Sequence, residues 1–85
     1  MASRYEAIAQ YLSRHPGPHH TVSVEQIEQI VGYPLPPTAY PNHRWFRLWW
    51  CNDRVGHVQS RFGWLAAGWE VDSVDRDRGT VTFRK

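Results

Sequence analysis

The chain has 85 residues, a formal net charge of +2 and a sequence pI near 9.0. This length allows one small domain, and 41% hydrophobic residues with five tryptophans argue against a disordered chain. The single cysteine excludes an intramolecular disulfide, and no apolar run approaches the roughly 18 residues of a membrane span. The N-terminal residues lack the apolar core of a signal peptide. We therefore expect a single domain over residues 1–85 in the cytoplasm, without membrane association.

Basic residues are concentrated in the second half of the chain. Residues 1–43 carry two arginines and three glutamates, whereas residues 44–85 carry eight basic and five acidic residues. Nine of the ten basic residues are arginine. Arginine recognises phosphate and carboxylate groups through paired hydrogen bonds, although a GC-rich coding bias produces the same preference.

The first predicted helix runs from about Arg4 to Ser13. Ser3 and Glu6 have the spacing of a capping box at its start, and Pro16-Gly17-Pro18 ends it. The apolar residues at helical spacing are Tyr5, Ile8, Ala9 and Leu12.

The second predicted helix is short, about Val24 to Val31. Ser23 and Gln26 form a second capping box, and Gly32 stands where a helix C-terminal glycine is expected. The connector that follows, residues 33–43, contains four prolines, which preclude regular structure.

In the stretch from Arg44 to Cys51, Phe46, Leu48 and Trp50 alternate with Trp45, Arg47 and Trp49. This alternation predicts a strand, or an extended approach to the next helix. The competing prediction is an extra helical turn.

The third predicted helix is the longest, about Arg54 to Ala67. Asn52 or Asp53 is expected to cap its start, and Gly68 to end it. Its apolar stripe consists of Val55, Val58, Phe62, Leu65 and Ala66. A helical wheel places His57, Ser60, Arg61 and Trp64 away from that stripe.

A β-hairpin is predicted for residues 69–84, with a bulge where Val74 breaks the alternation and a turn at Asp77-Arg78-Gly79. The fold class is therefore α+β, with three short helices packed on a small antiparallel sheet that ends in a hairpin. This order is also that of a winged helix. The connection of about twenty residues between the second and third helices departs from the three or four of a helix-turn-helix.

Most of the chain, about residues 5–84, resembles a family of small bacterial domains of unknown function. The matching residues are Val24-Glu25-Gln26-Ile27-Glu28, Gly32, Leu35-Pro36, Trp49-Trp50, Asn52-Asp53, His57, Gln59, Trp64-Leu65, Ala67-Gly68-Trp69, Val81 and Phe83. The resemblance implies a stand-alone domain, or one attached to a larger chain that acts on nucleic acid. It implies no catalytic residue.

The predicted functional surface joins the third helix to the hairpin tip. Its candidates for phosphate contact are Arg54, His57, Arg61, Arg76 and Arg78. Its candidates for base contact are Gln59, Ser60 and Trp64. The alternative is that Trp64 lies in the core beneath the proline-rich connector and that the arginines are merely solvated.

The sequence therefore favours a non-enzymatic nucleic-acid-binding domain, with DNA more strongly indicated than RNA. The alternative is a protein-interaction module, accessory or inhibitory, that presents Trp45, Trp49 or Trp64 to its partner. A homodimer is compatible with either.

No metal, cofactor or catalytic residue is expected. The histidine, cysteine and aspartate candidates lack zinc-site spacing, and a Cys51–His57 pair is a weak candidate dyad. The metal candidates weighed are His43, Cys51, Asp53 and His57, or His19 and His20.

Overall fold

The computed structural model describes residues 3–85. It contains α1 (Glu6–Ser13), β1 (His19–Ser23), α2 (Val24–Val31), α3 (Phe46–Trp49), β2 (Glu70–Asp75) and β3 (Thr80–Arg84). Three single turns complete it: 3-10 turns at Pro37–Ala39 and Leu65–Ala67, and a π-helical turn at Ser60–Trp64. The predicted α+β class is confirmed. Within residues 3–85, no helix combines the length and the hydropathy that crossing a membrane requires.

Helix α1 is confirmed, but its predicted capping box is not formed. The helix begins at Glu6, and the residue at its N-cap position is Tyr5, which makes no side-chain cap. The Ser3 hydroxyl accepts the Tyr5 N–H at 3.2 Å instead. Ser3 lies two residues too early to cap the helix.

Helix α2 has the predicted bounds and both predicted ends. The Ser23 hydroxyl accepts the Gln26 N–H at 3.0 Å, and the Gln26 side chain accepts the Ser23 N–H at 2.9 Å. Gly32 has φ of 84°, and its N–H donates to the Glu28 carbonyl at 2.9 Å. These bonds satisfy backbone groups that a helix end otherwise leaves free.

The sheet has three antiparallel strands in the order β1-β3-β2. The predicted hairpin β2–β3 is confirmed, and its bulge falls between Val71 and Ser73 rather than at Val74. The edge strand β1 was not predicted. It has five residues with one buried aliphatic side chain, Val22, so it carries almost no alternating pattern.

The strand predicted for residues 44–51 is wrong, and the competing helical turn is right. Phe46, Trp49 and Trp50 are buried at helical spacing, and α3 covers four residues of this stretch. The alternation misled because the exposed residues of α3 are Arg47 and Leu48, which are adjacent in sequence as residues on one side of a helical turn can be.

The continuous helix predicted for residues 54–67 is also wrong. Residues 51–57 form a loop, helical conformation begins at Val58, and the π-helical turn follows. Gly63 has φ −91° and ψ −111°, outside the helical region. A π turn and a non-helical residue both change the number of residues per turn. The helical wheel therefore no longer predicts which side chains of this segment share a face. Gly68 ends the segment with φ of 80°, as predicted.

This change of phase inverts the predicted faces. Val55 is 80% exposed, Val58 47% and Phe62 37%. Ser60 and Trp64, predicted to lie on the polar face, are completely buried.

An aromatic cluster from the second half of the chain forms the centre of the core. The Trp50 and Trp64 rings stack at 5.5 Å, and Trp64 packs on Phe83 of β3 at 5.6 Å. Four of the five tryptophans are 9% exposed or less. Aromatic side chains bury about 150–250 Å² each, so this cluster provides much of the core of so short a chain.

Candidate functional site

Three of the eight predicted contact residues lie in the interior. The Gln59 amide donates to the Trp49 carbonyl at 3.1 Å, and the Trp64 indole N–H donates to the Cys51 carbonyl at 3.0 Å. Ser60 donates to the His57 carbonyl at 2.9 Å and also reaches the Asp53 carbonyl. These are the side chains proposed to read bases. In the structure Ser60 and Trp64 hold the 51–57 loop, and Gln59 bonds the end of α3.

The two hairpin-tip arginines differ from each other. The Arg76 guanidinium donates to the carbonyls of Pro41 and His43 and lies 5.4 Å from the Phe46 ring centroid. It fastens the hairpin to the proline-rich connector and is not free at the surface. Arg78 is 83% exposed, with Asp75 at 3.8 Å.

The remaining three predicted residues, Arg54, His57 and Arg61, are exposed. Arg61 donates to the Val55 carbonyl at 3.0 Å, and its guanidinium lies 4.8 Å from the Phe62 ring centroid. Because both contacts are to exposed neighbours, Arg61 stays at the surface while its orientation is fixed.

Asp53 organises the loop before this segment. Its carboxylate accepts the Val55 N–H at 2.8 Å and bonds His57 Nδ1 at 2.6 Å. The pKa of Asp53 is lowered from 3.8 to about 2, first by the Val55 N–H and then by His57 and the Gly56 N–H. The carboxylate is therefore ionised at neutral pH, and it accepts a hydrogen bond from the Nδ1–H group of His57.

Asn52 has a structural role that differs from the predicted helix cap. Its amide donates to the Val71 carbonyl at 3.0 Å and accepts the Val71 N–H at 2.7 Å. The side chain thus pairs with the start of β2 as a neighbouring strand would, and it ties the loop to the sheet.

Exposed apolar side chains are interleaved with arginines between residues 44 and 62. This stretch holds four arginines and one acidic residue, Asp53. We define the apolar–arginine surface by the exposed residues Arg44, Trp45, Leu48, Arg54, Val55, His57, Val58, Arg61 and Phe62. Soluble domains seldom leave so many large apolar groups together in solvent without a binding role.

Two shallow depressions lie along this surface. One is lined by Thr38, Trp45, Leu48, Trp49 and His57, and the other by Arg54, Arg61, Phe62 and Leu65. Sequence reasoning missed Leu48 because it was grouped with Phe46 and Trp50 on one face of a strand. It placed Val55, Val58 and Phe62 on the apolar face of the third helix. The exposure of Val55, Val58 and Phe62 follows from the broken helix, and that of Leu48 follows from the helical turn α3.

A second cluster of polar rings lies between α1 and β1. The Tyr11 hydroxyl is 2.7 Å from His20 Nε2, and the rings of His15 and His20 stack at 3.9 Å. Burial and the neighbouring His15 lower the pKa of His20. Across residues 3–85, no group of three or more histidine, cysteine, aspartate or glutamate side chains has the arrangement of a metal site.

A family model for a domain of unknown function, DUF7662, matches residues 5–85. No match was found among curated proteins or among solved structures. The residues that carried the sequence resemblance are chiefly architectural here, since Trp50, Trp64 and Trp69 are core and Asn52 joins loop to sheet. Since the match covers nearly the whole chain, the protein belongs to the DUF7662 family.

Proposed function

We propose that this domain is a non-enzymatic interaction module that binds a partner protein through the apolar–arginine surface. The observation that carries the proposal is the exposure of Trp45, Leu48, Val55, Val58 and Phe62 within eighteen residues of chain. Tryptophan and arginine dominate the energetics of protein interfaces, and both are present at this surface.

The charge of the surface favours an acidic partner. Arg44, Arg54 and Arg61 are exposed, and Asp53 is already bonded to His57 and to backbone N–H groups. A partner segment that combines apolar side chains with aspartate or glutamate complements this arrangement. The proposed compartment is the cytoplasm.

Site-specific photo-crosslinking in cells of the source organism tests the proposal. Val55→benzoylphenylalanine places the reactive group on the surface, and Tyr33→benzoylphenylalanine is the matched control at another exposed site. Tyr33 is 59% exposed and lies outside the surface. We expect a discrete protein adduct from position 55 that disappears on adding Arg61→Glu. No adduct at 55, or equal adducts at both positions, would overturn the proposal. An adduct of twice the chain mass identifies a second copy as the partner.

Nucleic acid is the second candidate, and the topology favours it. The order α1-β1-α2, followed by the turns at 58–67 and then β2-β3, resembles a winged helix, and so does the strand order β1-β3-β2. Fold resemblance alone is a weak argument for function. Since Gln59, Ser60 and Trp64 are buried, such binding would rest on phosphate contacts by Arg54, Arg61 and Arg78 rather than on base recognition.

Fluorescence polarisation with duplex DNA, single-stranded DNA and RNA over a salt series separates the two candidates. If nucleic acid is the ligand, Arg61→Ala should lower the slope of log affinity against log salt by about one phosphate contact. Arg14→Ala, at an exposed arginine beyond the end of α1, should leave it unchanged. Absence of binding at low salt would exclude this candidate.

A further inference from the structure

The depression beside α3 has the size of a single side chain. Its volume is about 170 Å³, and Trp45, Leu48 and Trp49 form its apolar walls. Pockets for small-molecule ligands usually measure about 300–1,000 Å³. This depression is therefore too small for a cofactor and suits one inserted residue of a partner chain.

Two of the lining residues, Trp49 and Thr38, are held in place before any partner arrives. The ring of Trp49 packs edge-on against Trp50 at 4.7 Å. The Trp50 indole N–H donates to the Ala39 carbonyl at 3.0 Å, which fixes the 3-10 turn that carries Thr38. A preformed pocket loses little conformational entropy on binding, so an inserted side chain gains most of its contact energy.

His57 lines the depression, and Arg44 lies beside its Trp45 wall. The Arg44 guanidinium lies 4.8 Å from the Trp45 ring centroid and is exposed. His57 presents Nδ1 to Asp53, and no hydrogen bond to its Nε2 occurs among residues 3–85. With Nδ1 bonded to the Asp53 carboxylate, Nε2 is the ring nitrogen of His57 left to bond a partner. Arg44 therefore offers a cation, and His57 Nε2 offers a hydrogen-bonding nitrogen.

We propose that this depression is the anchor site of the partner and takes one leucine- or phenylalanine-sized side chain that is preceded or followed by an aspartate or glutamate. The apolar side chain contacts Trp45, Leu48 and Trp49, and the adjacent carboxylate pairs with Arg44. This inference rests on the proposed function and specifies the chemistry of the partner segment.

Nuclear magnetic resonance titration of the isotope-labelled full chain tests the anchor with three acetylated, amidated tetrapeptides. Their sequences are Gly-Asp-Leu-Gly, Gly-Lys-Leu-Gly and Gly-Asp-Gly-Gly. The first peptide should shift the Leu48 amide and Trp45 indole signals, with a dissociation constant on the order of 1 mM. The lysine peptide should bind several-fold more weakly, and the leucine-free peptide should leave both signals unchanged. Equal shifts from all three, or none from the first, would overturn the inference.

Two variants locate the binding. Leu48→Ser removes a wall of the depression and should abolish the shifts, whereas Val55→Ser, at an exposed aliphatic residue outside the depression, should retain them. Arg44→Gln should remove the preference for the acidic peptide over the lysine peptide. Loss of the shifts in both serine variants alike would show binding elsewhere and contradict the assignment.

The anchor and the interaction module fail in different ways. A protein adduct at position 55 without peptide shifts at Leu48 would support the proposed interface and contradict the anchor site. If neither the adduct nor the peptide shifts are observed, both proposals are wrong.

Discussion

Helix α2 and the segment of residues 51–67 carry the same kind of pattern, yet only α2 follows it. Both have apolar residues at helical spacing, a polar residue placed to cap the start and a glycine at the end. In α2 the residues at helical spacing are Val24, Ile27, Ile30 and Val31, of which Ile30 is half-buried and the other three are buried. In the later segment Val55, Val58 and Phe62 of the stripe are exposed, whereas Ser60 and Trp64 of the opposite side are buried.

The difference lies in what the polar side chains bind. Ser23 and Gln26 bond each other's backbone, so α2 begins where its pattern begins. Asp53 bonds Val55 within the loop, and Trp64 bonds the Cys51 carbonyl thirteen residues back. Of these two segments, apolar periodicity identifies the buried face in the one where local hydrogen bonds start the helix in phase with it.

The strongest test of this comparison measures the stability of Trp64→Ala and of Phe62→Ala. We expect Trp64→Ala to lower the free energy of unfolding by about 3–5 kcal/mol, because its buried ring stacks on Trp50 and donates a hydrogen bond. Phe62→Ala should cost about 1 kcal/mol or less, since the ring is 37% exposed. Urea denaturation followed by circular dichroism measures both. If Trp64→Ala does not fold, Trp64→Phe replaces it in the comparison. Equal losses of stability at positions 62 and 64 would contradict the broken segment and favour the predicted continuous helix.

Asn52→Ala probes the bond between the loop and β2. It removes two hydrogen bonds and leaves the Val71 N–H and carbonyl without those partners, so we expect a loss of about 2 kcal/mol. Amide exchange at Val71 should become faster. Asn42→Ala, at an exposed asparagine, is the control and should change stability by about 0.5 kcal/mol at most. A loss confined to helix content, with Val71 exchange unchanged, would favour the predicted capping role.

The parts of the fold that could be predicted are those specified by neighbours in sequence. Helix α2, the C-terminal glycines Gly32 and Gly68, and the hairpin over residues 69–84 all follow from local bonds or alternation. Strand β1 was missed because its identity comes from pairing with β3, sixty residues later, as in Thr21 opposite Thr82.

The candidate surface could be predicted only in part. Arg54, His57 and Arg61 were found because charged side chains remain exposed under almost any local conformation. Val55 and Phe62 were missed, because their exposure depends on where Gln59 and Trp64 find carbonyl partners, at Trp49 and Cys51. Those partners lie ten and thirteen residues back, so the bonds leave no short-range signature.

The Ser23→Ala variant tests the comparison in α2, the segment whose helix was predicted correctly. It removes the hydroxyl that accepts the Gln26 N–H, while the bond from the backbone N–H of residue 23 to the Gln26 side chain can persist, and it should cost about 1 kcal/mol. Ser3→Ala should cost clearly less, because Ser3 bonds Tyr5 outside α1 and caps nothing. The measurement is the urea midpoint at constant slope. A larger loss at Ser3 would mean that the predicted capping box of α1 forms in solution.

The smallest effect should be the contribution of Asp53 to the pH dependence of stability. Its folded pKa of about 2 is below its unfolded value of 3.8, so the unfolded chain binds more protons in that interval and stability falls as pH drops through it. The urea midpoint of the native chain should therefore decline more steeply below pH 4 than that of Asp53→Asn.

The Val55 N–H is the first cause of the lowered Asp53 pKa and His57 is the second. His57→Ala should accordingly raise the Asp53 carboxyl titration, followed by nuclear magnetic resonance, yet leave it below 3.8. A full return of the Asp53 pKa to 3.8 in that variant would show that the histidine, and not the loop backbone, lowers it. The loop would then be less rigid than its hydrogen bonds indicate.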